Sequence, residues 1–157
     1  MPYYADLTAY PHSHTEVLDP ATRTYRRVHH EGFVVNVGWL DAFHPFAKEQ
    51  ATALFLENLE KFYYRVVDQT RGIHICPFCP ESKRNAKWPA PSTHATILNR
   101  EIVLGSAEIR VSAPGVTYAC PDLICHYIKD HDYRPPDEFI DAVMSPKAAG
   151  IGFNPPL

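Results

Sequence analysis

Apolar and polar positions change period several times along the chain, and each change marks a predicted element. From Gly32 to Leu40, Val35, Val37 and Trp39 alternate with Val34, Asn36 and Gly38, and the β-branched and aromatic content predicts a strand. Asp41 to Phe46 breaks that run, with His44 held extended by Pro45. From Ala47 to Val67 the period lengthens. Ala51, Leu54, Phe55, Leu59, Phe62, Tyr63 and Val66 recur at three- and four-residue steps, which predicts one long helix. Thr93–Leu98 and Ile102–Leu104 predict a hairpin turning at Asn99-Arg100. Ser106–Ser112 alternates apolar and polar residues, turns at Ala113-Pro114-Gly115 and returns through Val116–Cys120. A short helix follows, with Asp122 as its expected N-cap, Leu123, Ile124, Tyr127 and Ile128 as its apolar face, and Arg134-Pro135-Pro136 as its stop. A last helix opens at Pro136-Asp137-Glu138 and runs to about Met144, burying Phe139, Ile140 and Val143. The expected class is α+β: an antiparallel β-meander packed on a long helix, with a short helix near the C-terminus.

Outside these elements the pattern fades. Residues 1–31 are polar without a sustained period, and read as an extended arm with room for one short strand. Residues 32–145 form the expected single α+β domain, and 146–157, with two glycines and Pro155-Pro156, a flexible tail. Pro80 to Ser92 reads as a surface loop pinned by Trp88.

Composition narrows the function classes. The 157 residues are 45% hydrophobic and 21% charged, with a formal charge of −3, as expected of one ordinary globular domain. Lys and Arg are dispersed. Arg23, Arg26 and Arg27 form the one basic cluster, in a loop-like stretch, so a nucleic-acid partner is not favoured and a protein partner is. No window approaches the roughly 18–20 continuous apolar residues of a membrane span. The first residues lack the regions of a signal peptide, so a cytoplasmic location is expected. There thiols stay reduced, and a Cys-x2-Cys pair points to metal before disulfide.

Such a pair is present, Cys76-Pro77-Phe78-Cys79, and farther on stand His126 and His131. Cys-x2-Cys with His-x4-His falls within zinc-ligand spacing. The expected site is therefore one structural Zn²⁺ held by Cys76, Cys79, His126 and His131, a knuckle tied to the short C-terminal helix. Residues five apart on a regular helix point about 140° away from each other, so the two imidazoles converge only if the helix loosens near Asp130. Asp130 or Asp132 is the expected acceptor for an imidazole N–H. Alternatives stay open: Cys120 or Cys125 in place of His131, or His74, two residues before Cys76 and on the same side of an extended segment. His12, His14, His29 and His30 are spaced too irregularly to suggest a second metal.

Several strings together resemble a family of small uncharacterised bacterial proteins. They are Asn36-Val37-Gly38-Trp39-Leu40-Asp41, His44-Pro45-Phe46, Arg71-Gly72-x-His74-x-Cys76-x-x-Cys79, Gly105 to Val111, Tyr118-Ala119, Pro121 to Ile124, His126-Tyr127, and His131-x-Tyr133-x-Pro135-Pro136 with Phe139. The resemblance implies that Cys76, Cys79, His126 and His131 belong to the family's motif. It implies no activity.

Two Cys and two His close a tetrahedron and leave no position for water. The preferred reading is thus a zinc-stabilised binding or adaptor protein, with exposed aromatics of the N-terminal arm and the Trp88 loop as its contact surfaces. A metal-dependent hydrolase needs an open metal position and a base, for which Glu108, His74 or His44 would have to serve, and no catalytic motif supports it. A Cys125–His126 nucleophile pair is poor, because neighbours on a helix do not face each other. A nucleic-acid-reading finger lacks the Arg, Lys and Asn set on the 122–131 helix.

Overall fold

The computed structural model describes residues 1–30, 32–80 and 92–146. Trp88 and the tail beyond residue 146 lie outside the described residues. The strands are β1 His14–Asp19, β2 Thr24–His29, β3 Phe33–Asn36, β4 Thr93–Ile97, β5 Arg100–Leu104, β6 Glu108–Ala113 and β7 Val116–Pro121. The helices are α1 Ala53–Glu60, continued by a 3₁₀ turn over Lys61–Tyr64, then α2 Ile124–His131 and α3 Asp137–Met144. No helix among the described residues is long and apolar enough to cross a membrane.

The structure is α+β, with its strands in three small sheets. The β6–β7 hairpin is antiparallel, and β3 joins the outer side of β7 in parallel, Phe33 opposite Val116 and Asn36 opposite Ala119. β4 and β5 pair only with each other among the described residues, so the expected meander is two hairpins in separate sheets. Their turn lies at Leu98-Asn99, one residue earlier than expected, with both residues at positive φ (51° and 59°), as a two-residue hairpin twisted with its strands requires. β1 and β2 form a third antiparallel pair in the region read as an arm.

The strict alternation of β6 places Ile109 and Val111 on one face and Arg110 on the other. Ile109, Val111, Tyr118 and Cys120 point into the main core with Phe55, Leu59, Phe62, Tyr63, Leu123, Tyr127 and Phe139. The opposite face of the sheet, at Ala119, packs on Trp39 and Tyr10. The N-terminal segment straps that side through Tyr4 N–H to Trp39 O, Leu7 N–H to Asn36 O and Tyr10 N–H to Val34 O. Because both faces are covered, Asn36 to Leu40 are all buried, and the alternation read there does not describe one dry and one wet side.

The long helix is the main correction. Residues 47–50 are tied as extended chain to the segment after α2, with Glu49 N–H donating to Asp132 O and Arg134 N–H to Ala47 O. Thr52 is the true N-cap, its Oγ1 accepting from Phe55 N–H at 3.2 Å. At the other end the helix tightens to 3₁₀, and Val67 bridges Glu108 of β6. The buried stripe survives in part: Phe55, Leu59, Phe62 and Tyr63 are interior, while Leu54 is 57% exposed. Asp122 is a second correction. It does not cap α2; its Oδ1 accepts from Gly105 N–H at 2.7 Å and holds the β5–β6 connection.

Candidate metal centre

The knuckle is fixed by its backbone before any side chain is considered. Cys76 N–H donates to Thr93 Oγ1 at 3.0 Å at the start of β4, and His74 N–H donates to Gly105 O at 2.8 Å. Gly105 sits at φ 101°, and a Cβ there would lie 2.0 Å from His74 O, so only glycine lets the two backbones meet. Phe78, between the cysteines, packs edge-on against Phe46 and Tyr127 and lies against the His131 ring.

The other two residues come from α2. His131 ends it, and Asp132 follows in the left-handed region at φ 55°. The last turn is wide: the amides of Asp132 and Tyr133 both donate to Tyr127 O, five and six residues back rather than four. A turn that takes more residues brings positions five apart nearer to one direction. This is the loosening that His126 and His131 need.

The four ligand atoms lie within 4.8 Å of one another. Cys79 Sγ is 3.2 Å from His126 Nε2 and 3.4 Å from His131 Nε2. Cys76 Sγ is 3.3 Å from His131 Nε2, and the two Nε2 atoms are 3.3 Å apart. A tetrahedral ion with ordinary Zn–N and Zn–S bonds requires edges of about 3.4 Å for N···N and about 3.6 Å for S···N. The group therefore surrounds a volume of the right size, close enough to bind a metal ion. His126 Nδ1 lies 2.7 Å from Asp130 Oδ2, which turns Nε2 toward the cluster. Cys76, Cys79 and His126 are buried, and His131 is half-buried at the edge of an open cleft of about 730 Å³ shared with His44 and Phe46. Burial pushes the Cys76 thiol up to about 12. A cation among these atoms removes that cost by taking the place of the protons.

The other sequence candidates fall elsewhere. Cys120 and Cys125 are buried free thiols outside the cluster. Burial also pushes Cys125 up to about 12, the opposite of an activated nucleophile. His74 is outside the cluster too, and His44 stacks on Tyr3 and contacts Asp41. Among the described residues no second group of this kind involves His12, His14, His29 or His30. Glu108 is engaged with Arg110 and Tyr10. The aromatic collar of Phe46, Phe78 and Tyr127 was not expected as a unit, since its rings lie far apart in sequence and meet only in the fold.

A family model described as a domain of unknown function, DUF7919, matches residues 2–144. No curated protein and no solved structure matches the chain.

Proposed function

The chain belongs to the DUF7919 family, and from the Cys/His group we infer a binding or adaptor protein whose fold is held by a structural zinc ion. The observation that carries the reading is the closed donor set. Two sulfurs and two nitrogens from Cys76, Cys79, His126 and His131 supply all four corners of a tetrahedron. Thiolate with imidazole in that geometry suits zinc better than the oxygen-seeking cations. The ion ties the knuckle before β4 to the end of α2, across the β4–β7 stretch of the sequence. Its role is to restrain those two segments, and the four protein ligands leave no place for a substrate.

Support for a protein partner comes from the surface. Phe43 is 90% exposed, on a turn stiffened by Asp41, whose Oδ1 accepts from the amides of Phe43 and His44. A large apolar ring presented on a fixed turn beside the metal-side cleft suits contact with another protein. The half-exposed His131 at that cleft favours a second reading, a hydrolytic zinc with an open position.

X-ray absorption on the purified, metal-loaded protein tests both. The expected spectrum has two sulfur and two nitrogen neighbours and no water oxygen. An oxygen in the coordination shell supports the hydrolase, and protein purified without any transition metal refutes both readings.

A further inference from the structure

The strongest feature outside the metal centre is an open sheet edge. The basic cluster that the sequence placed in a loop lies in and beside β2, and register fixes where that strand's backbone groups point. His30 N–H donates to Ser13 O at 3.2 Å, which makes Ser13 and His30 a hydrogen-bonded pair at the end of the β1–β2 ladder. Such pairs alternate along an antiparallel ladder, so Thr24, Arg26 and Val28 turn their amides and carbonyls toward β1. Glu16, opposite Arg27, obeys the same alternation. Its N–H donates to Asp68 Oδ1 at 2.7 Å and its O accepts from Asp68 N–H at 3.0 Å, away from β2. The amides and carbonyls of Tyr25, Arg27 and His29 therefore face outward, and no group among the described residues takes them. Thr24 to Arg27 and His29 are exposed. A six-residue edge left uncovered is a template for one more strand.

Charge and shape decide which strand fits. Arg23, Arg26 and Arg27 stand in or next to β2, against Glu16 and Asp19 on β1. Glu16 meets Arg27 at 3.4 Å with both side chains exposed, a pair of little worth. Asp19 spends its carboxylate on the amides of Ala21 and Thr22, which lower its pKa more than Arg26 does. Neither Arg23 nor Arg26 has an ion pair among the described residues. A second copy of this chain is a poor occupant. Outward-facing residues must meet outward-facing residues, so the closest antiparallel registers of two β2 strands set Arg26 opposite Arg26 or Arg27 opposite Arg27. Like charges directly opposite destabilise a sheet, and acidic residues at those places reverse the sign. On the same face as Arg27, Tyr25 borders a cleft of about 290 Å³ with Leu18, Pro20 and Tyr64, which seats an aromatic side chain at the end of the row. We propose that β2 is the docking edge for an extended, acidic segment of a partner protein, added as a third, antiparallel strand with its acids against Arg26 and Arg27. No metal ligand lies in this hairpin, so the assignment stands apart from the zinc reading.

The test is amide hydrogen exchange, read by nuclear magnetic resonance on the full-length, metal-loaded protein in about 20 mM salt, with the peptide acetyl-Ser-Thr-Val-Glu-Glu-Tyr-Thr-Ser-amide. Added antiparallel, its glutamates lie opposite Arg27 and Arg26 and its tyrosine opposite Tyr25. The expected dissociation constant is about 1 mM. Bound peptide should slow the amides of Tyr25, Arg27 and His29 and leave those of Thr24, Arg26 and Val28 unchanged, since the latter already bond to β1. Attraction between charges alone produces no such alternation. Replacing both glutamates by lysine, or N-methylating the first, should weaken binding by about tenfold or more. In the protein, Arg26→Gln combined with Arg27→Gln should weaken it by about tenfold while leaving the ladder intact. Arg27→Pro removes one outward N–H and no ladder bond, and should abolish binding. If the proline variant does not fold, the double Gln variant carries the test. Equal binding of the lysine peptide, protection without alternation, or none up to about 5 mM peptide would overturn the assignment. Slow exchange at Tyr25, Arg27 and His29 in the free protein would overturn it too, because another segment or a second copy then already occupies the edge.

Discussion

Two side chains beside the metal cluster separate holding an ion from filling space. Asp130 touches His126 Nδ1, the ring nitrogen opposite the Nε2 that joins the cluster. If it orients the imidazole, Asp130→Asn should lower metal affinity by roughly 10–100-fold in a chelator competition, with little change in fold. An affinity equal to wild type would make the contact incidental. Tyr127 is the complementary case. Its hydroxyl is buried with no hydrogen-bond partner among the described residues, and burial raises its pKa far above the usual phenol range. Removing a buried, unsatisfied hydroxyl should help: Tyr127→Phe is expected to raise stability by about 1 kcal/mol while leaving the metal bound. A loss of metal in that variant would show that the hydroxyl serves the nearby thiolates.

At the scale of elements, the site depends on two chain approaches. One is the backbone meeting of Gly105 and His74, which sets where the knuckle starts. Gly105→Ala puts a Cβ into His74 O and forces a side chain onto a residue at φ 101°. The expected cost is about 3 kcal/mol or more, together with weakened metal retention, because relieving the clash moves the knuckle. Denaturant melts with and without chelator check both halves. The other approach is the cross-link itself. Cys76→Ser should abolish tight binding and lower the melting temperature by about 10 °C or more, since a few kcal/mol is worth several degrees in a domain of this size. Cys120→Ala should keep the metal and lose only about 1 kcal/mol of packing. Equal loss of metal in the two variants would remove the reason to single out Cys76.

For the whole molecule, the testable balance is between burial and charge at Asp122. Burial raises its carboxyl to about 6, against the lowering by the amides of Gly105, Ser106 and Ala107. The folded protein thus holds a proton there that the unfolded chain, with an ordinary carboxyl near 4, has already released. Stability from this group is fully present below about pH 4 and is lost as pH rises through about 6. Asp122→Asn keeps an oxygen for Gly105 N–H and removes the titration. Across that window wild type should lose about 3 kcal/mol relative to the variant, and taking the difference cancels any metal effect common to both. A difference independent of pH would show that the carboxyl titrates normally.

The sequence by itself determined what depends on residue type and short spacing. It was enough to identify Cys-x2-Cys and the two imidazoles as one group, the β6–β7 hairpin from strict alternation, and the helix opening at Asp137. It also offered Asp130 or Asp132 as a partner for an imidazole, and Asp130 is the one beside His126. Such signals are local, because a period or a spacing needs only a few neighbouring residues. Tertiary structure alone decided the rest. The apolar stripe from Ala51 to Val66 reads as one helix until residues 47–50 find hydrogen bonds beside Asp132 and Arg134, which stops α1 at Thr52. Arg110 and Glu108 read as the wet face of a strand until the N-terminal strap covers them with Tyr10 and Thr15. Asp122 reads as a cap until Gly105 arrives from another strand. In each case a backbone or charged group chose a distant partner over a local one, and no window of sequence contains both.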